Sequence, residues 1–103
     1  MANILFRKSY LHKTFYKASY ESLWNTKGAF TTIRLIGLPP KFLFLNDHLN
    51  TLNRSIKKMN IDFILKSSTF ENLLKNKIKM NVKYDHLLRM AVNSKKISIT
   101  LRK

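Results

Sequence analysis

A large excess of positive charge constrains this chain more than any other feature of its sequence. Its 103 residues include 20 Lys and Arg against 5 Asp and Glu, so the formal net charge is +15. Like charges repel, and this excess opposes a compact state unless a polyanion neutralises it. The apolar fraction of 45% is nevertheless that of a globular protein. We therefore expect one small folded domain that binds nucleic acid or, as the second choice, an anionic membrane surface.

The type and position of the cations narrow the choice of polyanion. Lysines outnumber arginines by 15 to 5, and lysine suits diffuse phosphate contact better than the bidentate base contacts that favour arginine. Ten Asn beside many Lys are typical of an AT-rich gene, which explains part of the lysine excess but not the small number of acids. Residues 1–51 carry seven cations and two anions, whereas residues 52–103 carry thirteen and three. The second half is therefore the predicted polyanion-binding half.

No group of residues has the spacing of a catalytic or metal-binding site. The absence of cysteine excludes disulfides, thiolate zinc sites and a cysteine nucleophile. His12, His48 and His86 are scattered, so solvent-facing or capping roles are expected for them. The five acids are far apart, and neither a nucleophile elbow nor a phosphate loop occurs. We expect no enzyme activity, cofactor, metal or small-molecule substrate. No apolar run approaches the roughly 18 residues of a membrane-spanning helix.

The N-terminal segment is predicted to be a basic arm or helix over residues 1–24. Residues 1–20 contain no acid and many hydroxyl groups, as organelle transit segments do. Apolar residues at helical spacing predict a helix over 10–23. The aromatic residues of this segment either stack on bases beside lysines or pack on a core. They are Tyr10, Phe15, Tyr16, Tyr20 and Trp24.

Residues 25–103 are predicted to form a single α+β domain. β-Forming residues predict strands over 29–36 and 42–45, joined by a turn at the glycine and prolines of 37–40. Asn46 or Asp47 is then expected to cap a helix. The apolar stripe of that helix is Leu49, Leu52, Ile56 and Met59.

The second half of the chain predicts two more helices and a final strand. Ser67 to Thr69 are expected to cap a helix that extends to Ile78, and a further helix is predicted from Asp85 to Val92. Ile97, Ile99 and Leu101 alternate with polar residues, which indicates a strand buried on one face. The predicted fold class is thus a small α+β domain with a β-hairpin, a C-terminal strand and about four helices.

The sequence from Gly28 to Ser55 resembles the N-terminal lobe of the fold-type IV pyridoxal-phosphate aminotransferases. Residues 28–40 read GAFTTIRLIGLPP, and residues 42–55 read FLFLNDHLNTLNRS. That family includes branched-chain and D-amino-acid aminotransferases and aminodeoxychorismate lyase. Its pattern is a strand with the sequence Gly-x-Phe-Glu-Thr-Ile-Arg, a turn, a second strand and a helix with His-Leu-x-Arg-Leu-x-x-Ser. Residues 87–92 and 97–100 are similar to its next helix and strand, so the resemblance covers about residues 20–102.

The departures from the family pattern imply a lobe without catalysis. The lysine that forms the cofactor's Schiff base in that family lies on a later segment, which this sequence does not include. The arginine that holds the cofactor phosphate is matched by Thr51, and the acid of the first motif is matched by Thr31. Arg34 and His48 match, but no catalytic role is carried onto them. The resemblance implies a truncated lobe retained as a scaffold, that is, a pseudoenzyme.

These observations together predict a structural protein of a mitochondrial ribosome. Its partners would be the ribosomal RNA backbone and neighbouring ribosomal proteins, and its location would be the mitochondrial matrix. Two alternatives remain open: one chain of a split pyridoxal-phosphate enzyme, and a peripheral accessory subunit of a mitochondrial membrane complex. The predicted RNA-binding residues are Arg7, Lys8, Lys13, Lys17, Lys57, Lys58, Lys75, Lys77, Lys79, Lys83, Lys95, Lys96, Arg102 and Lys103.

Overall fold

The computed structural model describes residues 4–23 and 27–103, which form one sheet and two helices. The sheet has six strands, all paired antiparallel, in the order β2-β1-β6-β5-β3-β4. The elements in chain order are β1 (Ile4–Leu11), β2 (Lys17–Ala18), β3 (Ala29–Gly37), β4 (Lys41–Phe42), α1 (Leu45–Lys58), α2 (Ser67–Leu74), β5 (Tyr84–Val92) and β6 (Lys96–Arg102).

The core lies between one face of this sheet and the two helices. Side chains alternate between the faces of a strand, and in β3 every second residue from Ala29 to Leu35 is buried against the core. The helix α1 contributes its amphipathic stripe, and α2 adds Phe70 beside Phe42. Each aliphatic side chain buried here contributes about 1.5–3 kcal/mol of hydrophobic stabilisation. The fully buried members include Ile33, Leu35, Leu52, Ile56, Leu65, Leu88, Met90, Ile97, Ile99 and Leu101.

The prediction of about four helices is wrong, because two of the predicted helices are strands. The predicted helix from Asp85 to Val92 is β5, the strand between β3 and β6. Near its end Met90, Ala91 and Val92 are all buried, so both faces of this central strand are covered. A strand covered on both faces has an unbroken apolar run, which gives no alternation and is easily assigned to a helix.

The predicted helix over 10–23 is also wrong. Tyr10 and Leu11 end β1, which pairs with β6 along most of its length, and Lys17–Ala18 form β2. Phe15 has a φ of 58° in the turn between β1 and β2. The long ladder with β6, which is distant in sequence, therefore outweighs the local helical spacing. Trp24 and the predicted boundary between residues 24 and 25 lie outside the described residues.

The remaining predicted elements are confirmed, with shifted ends. The strand at 29–36 is β3, the final strand is β6, and the helices near residues 46 and 67 are α1 and α2. Gly37 has a φ of 98° in the predicted turn, a conformation that glycine adopts readily. The second hairpin strand is only Lys41–Phe42, and α2 ends at Leu74 rather than near residue 78. The predicted side-chain caps of both helices are wrong, because Phe44 and Lys66 occupy the N-cap positions of α1 and α2 without a capping hydrogen bond.

The segment that follows β2 lies against the face of the sheet opposite the helices. Ser98 Oγ donates a hydrogen bond to the carbonyl oxygen of Glu21 over 2.5 Å, and Glu21 N donates to Ser9 Oγ over 2.9 Å. The hydroxyl of Tyr20 lies 3.0 Å from that of Thr100. These bonds satisfy the buried hydroxyls of Ser9 and Ser98. The outer face of β1 and β6 is thus partly covered by the chain itself.

Candidate nucleic-acid interface

Three of the predicted RNA-binding lysines converge on the helix side of the sheet edge. Side chains of Lys8 and Tyr10 share one face of β1, and Lys17 of β2 pairs with Tyr10 across the ladder. Lys8 and Lys17 are therefore diagonal neighbours. Lys77 reaches the same place from the segment after α2. We call Lys8, Lys17 and Lys77 the lysine cluster.

The pKa of Lys8 responds to the other two lysines of this cluster. The close approach of the Lys17 side chain and its positive charge lower the pKa of Lys8, and desolvation and the charge of Lys77 lower it further. Like charges disfavour the charged form of each neighbour, which is the physical reason for this direction. Within residues 4–23 and 27–103, no ion pair joins any of the three lysines to an acid. The cluster is therefore a concentration of uncompensated positive charge.

A cavity of about 460 Å³ adjoins the cluster. Its volume falls within the range of about 300–1,000 Å³ that is typical of ligand pockets. Lys8, Lys77 and Lys79 contribute to its lining, and the other lining residues are largely apolar or aromatic. We call it the cluster cavity; its lining residues are Leu5, Phe6, Lys8, Lys77, Lys79, Val82, Tyr84 and His86.

Two aromatic side chains of β5 form one wall of the cluster cavity. Tyr84 and His86 are two residues apart, so both point to the same face of the strand, and their ring centroids are 5.1 Å apart with an interplanar angle of 64°. The backbone N–H of Lys79 donates to the Tyr84 hydroxyl over 3.0 Å. This bond ties the segment that carries Lys77 and Lys79 to the sheet. The backbone N–H of Asp85 donates to His86 Nδ1 over 3.0 Å.

Two other predicted RNA-binding lysines are engaged by acids of the same chain. Lys96 Nζ lies 2.9 Å from a carboxylate oxygen of Glu21, and Lys13 Nζ lies 3.8 Å from one of Asp62. Exposed ion pairs of this kind contribute about 0–1 kcal/mol, so a polyanion can displace them at little cost. Arg7 lies on the outer face, where its guanidinium carbon is 5.0 Å from the centroid of the Tyr20 ring.

The structure does not bring all the predicted residues into one site. Lys57 and Lys58 lie in the last turn of α1, and Lys57 lines a separate cavity of about 720 Å³ with Arg54. The remaining predicted residues are at least partly exposed. They are Lys75, Lys83, Lys95, Arg102 and Lys103. The lysine cluster combines the two halves of the chain, because Lys8 and Lys17 belong to the first half and Lys77 to the second.

Several residues of the candidate site were not identified from the sequence. Tyr84 and His86 were assigned to the approach and start of a helix, which hid their shared orientation. Their spacing of two within an apolar strand is the signal that would have found them.

His12 was expected at the surface or in a cap, but it is buried and stacks on Phe63 with a centroid distance of 4.6 Å.

Of the residues matched by the aminotransferase resemblance, the structure joins His48 to Thr31, whereas Arg34 and Thr51 contact other side chains. His48 Nδ1 lies 3.2 Å from Thr31 Oγ1, and Arg34 forms an exposed ion pair with Asp85. Arg54 donates to Thr51 Oγ1 over 3.3 Å. No three metal-ligating side chains come together among the residues that the structure describes.

No protein-family model matches this chain, and neither a curated protein nor a solved structure is significantly similar to it. The described helices include none that is both long and apolar enough to span a membrane. The candidate site is therefore defined by its own chemistry. In the described part of the chain it is a lysine cluster that no ion pair joins to an acid, beside a partly aromatic cavity.

Proposed function

We propose that this protein binds the phosphate backbone of RNA through the lysine cluster, as a structural component of a mitochondrial ribosome. The proposal is carried by the convergence of Lys8, Lys17 and Lys77, which have no acidic partner among the residues that the structure describes. Bringing ammonium groups together costs free energy in the free protein, and a bound polyanion removes that cost. Phosphate groups also favour the charged form of Lys8, whose pKa is lowered by its neighbours.

The distribution of charge favours a long polyanion over a small anion. A small anion would neutralise one or two charges, whereas this chain has a net charge of +15. Exposed cations also lie at the end of α1 and at the turn between β5 and β6, outside the lysine cluster. A nucleic-acid backbone provides phosphates at regular spacing that can contact several such positions at once. The lysine-rich composition supports positioning on the backbone rather than reading of bases.

The mitochondrial ribosome is the assembly that we propose for this RNA contact. The basic, hydroxyl-rich and acid-free residues 1–20 support a mitochondrial location. Ribosomes of mitochondria take up lineage-specific proteins, and a small basic domain fits such a role by analogy.

Fractionation of mitochondria that contain the tagged protein tests this assembly directly. We expect the protein to sediment with ribosomal RNA and to leave that fraction after nuclease treatment. Sedimentation with inner-membrane complexes would instead support a peripheral subunit. Copurification with a second chain and visible pyridoxal-phosphate absorbance would support a split enzyme. Either of these results would overturn the ribosomal proposal.

Binding of purified protein to RNA tests the lysine cluster itself. We expect the substitutions Lys8→Gln, Lys17→Gln and Lys77→Gln to weaken binding when they are combined. Lys41→Gln is the matched control, because Lys41 lies on β4 at the opposite edge of the sheet and is also exposed. If the loss of affinity per removed charge is the same for the cluster variant, which removes three charges, and for the control, which removes one, only total charge matters and the assignment of the site is refuted.

A further inference from the structure

We infer that the cluster cavity takes an unpaired nucleobase of single-stranded RNA while the lysine cluster holds the adjoining phosphates. This inference rests on the proposed function, and it names the form of RNA that the site accepts. It depends on three features of the cavity: its position beside the lysines, its apolar and aromatic lining, and its size.

The lysine cluster and the cluster cavity lie side by side, so one nucleotide can place its phosphate on the first and its base in the second. Lys8 and Lys77 belong both to the cluster and to the cavity lining, so one nucleotide can contact both. In single-stranded RNA the base extends from the sugar on the side away from the phosphate. A phosphate held between Lys8 and Lys77 therefore leaves its base free to enter the cavity. In duplex RNA the bases are paired and stacked, and only backbone and groove edges are accessible.

The lining suits a flat aromatic group better than a bare anion. Leu5, Phe6 and Val82 are apolar, and Leu5 and Val82 are exposed at 55% and 40%. Burying such surface against a base removes apolar area from water, which is favourable. Tyr84 and His86 add ring edges and faces, and every base has a π-face that can pack on an aromatic side chain. An anion alone would gain nothing from the apolar side chains of Leu5, Phe6 and Val82.

The hydrogen bonds that Tyr84 and His86 already accept leave each side chain with a donor for the base. His86 Nδ1 already accepts the backbone N–H of Asp85, so a neutral His86 ring carries its proton on Nε2. The Tyr84 hydroxyl accepts the N–H of Lys79 and keeps its own proton to donate. Bases present ring nitrogens and carbonyl oxygens as acceptors on their free edges. The site thus has no requirement for one particular base.

The test compares three RNAs of about 12 nucleotides, within the site sizes typical of single-strand binders. They are an unstructured single strand, a duplex of the same sequence, and a single strand whose sugars lack bases. We expect the single strand to bind about 10-fold more tightly than the duplex or the abasic strand at equal salt. Adenosine monophosphate is the fourth ligand. Binding of the mononucleotide as tightly as the strand would assign the cavity to a free nucleotide and would overturn the inference.

Variants that fill the cavity show whether this preference arises there. Val82→Trp on the loop before β5 and Leu5→Trp on β1 obstruct it from two sides, and both positions are exposed enough to accept a larger side chain. Met80→Trp is the matched control, since Met80 is 65% exposed in the same loop and does not line the cavity. We expect the two filling variants to lose the single-strand preference while their duplex binding and thermal unfolding stay unchanged.

The outcomes separate this inference from the function on which it rests. If none of the RNAs binds, the proposed function itself fails. If all RNAs bind equally well and the filling variants behave like Met80→Trp, the protein binds RNA backbone but the cavity takes no base. If the lysine variant binds every RNA more weakly but still prefers the single strand to the duplex, both claims are supported together.

Discussion

Replacing the three lysines of the cluster with glutamine should weaken the salt dependence of RNA binding by a defined amount. Each lysine that neutralises one phosphate of a single strand contributes about 0.7 to the slope of log affinity against log salt. If Lys8, Lys17 and Lys77 each contact one phosphate, the variant loses about 2 from the magnitude of that slope. Between about 50 and about 200 mM salt, the wild-type protein should therefore lose about 20-fold more affinity than the variant.

Fluorescence anisotropy of a labelled single strand, titrated at several salt concentrations, measures this slope. Glutamine keeps much of the length and polarity of lysine, so the substitution removes charge without exposing new apolar surface. The variant carrying Lys41→Gln controls for the general loss of charge, and its slope should match that of the wild-type protein. Thermal unfolding of every variant confirms that the fold is retained.

The refuting result is an unchanged slope in the triple variant. An unchanged slope would mean that RNA, if bound, contacts other cations, such as Lys57 and Lys58 at the end of α1. A reduction of about 0.7 in the Lys41→Gln control would equal the change per removed charge in the triple variant. The bound RNA would then respond to total charge, and the lysine cluster would have no special role.

Further predictions concern the stability of the free protein. Lys17→Gln should raise the melting temperature at low salt and lose this effect at high salt, because it removes a charge that repels Lys8. The pKa of Lys8 is lower in the folded than in the unfolded state, so at a pH between the two values the unfolded state binds more protons. The free energy of unfolding should therefore rise as pH increases through that range. The Lys8→Gln variant should not show this rise. Leu52→Ala should lower the free energy of unfolding by about 2–5 kcal/mol in urea, because Leu52 is fully buried in the core. Tyr84→Phe should cost about 1 kcal/mol in the same assay through loss of the bond from Lys79; an unchanged midpoint would contradict that role.

The fold was predictable where local signals and tertiary packing agree. In β3 buried and exposed residues alternate, and α1 has three buried residues at helical spacing, so each pattern identifies its element directly. The hairpin turn was also predictable, because Gly37 and the following prolines limit the backbone there.

The two helix predictions were wrong because the pairing that makes these segments strands cannot be read from either segment alone. The residues at the end of β5 are buried because the strand has a neighbour on each side and its outer face is covered. These neighbours come from distant parts of the chain. The pairing of β1 with β6 joins residues that are about 90 positions apart, such as Ser9 and Ser98. Non-local pairing of this kind overrides local propensity.

The candidate site was predictable in its chemistry but not in its geometry. Net charge and lysine content indicated a polyanion, and the three lysines of the cluster were all among the predicted contacts. Their convergence depends on the β1–β2 ladder and on the bond between Lys79 and Tyr84, and neither was expected. The cavity could not be predicted while its wall, Tyr84 and His86, was assigned to the approach and start of a helix.

Lysine footprinting is the most direct test of the central claim that RNA phosphates contact the lysine cluster. The protein is acetylated briefly with and without saturating single-stranded RNA, and modification of each lysine is measured by mass spectrometry. We predict strong protection of Lys8, Lys17 and Lys77 by RNA, and unchanged modification of Lys41. Protection of Lys41 equal to that of the cluster, or protection confined to other lysines, would contradict the claim.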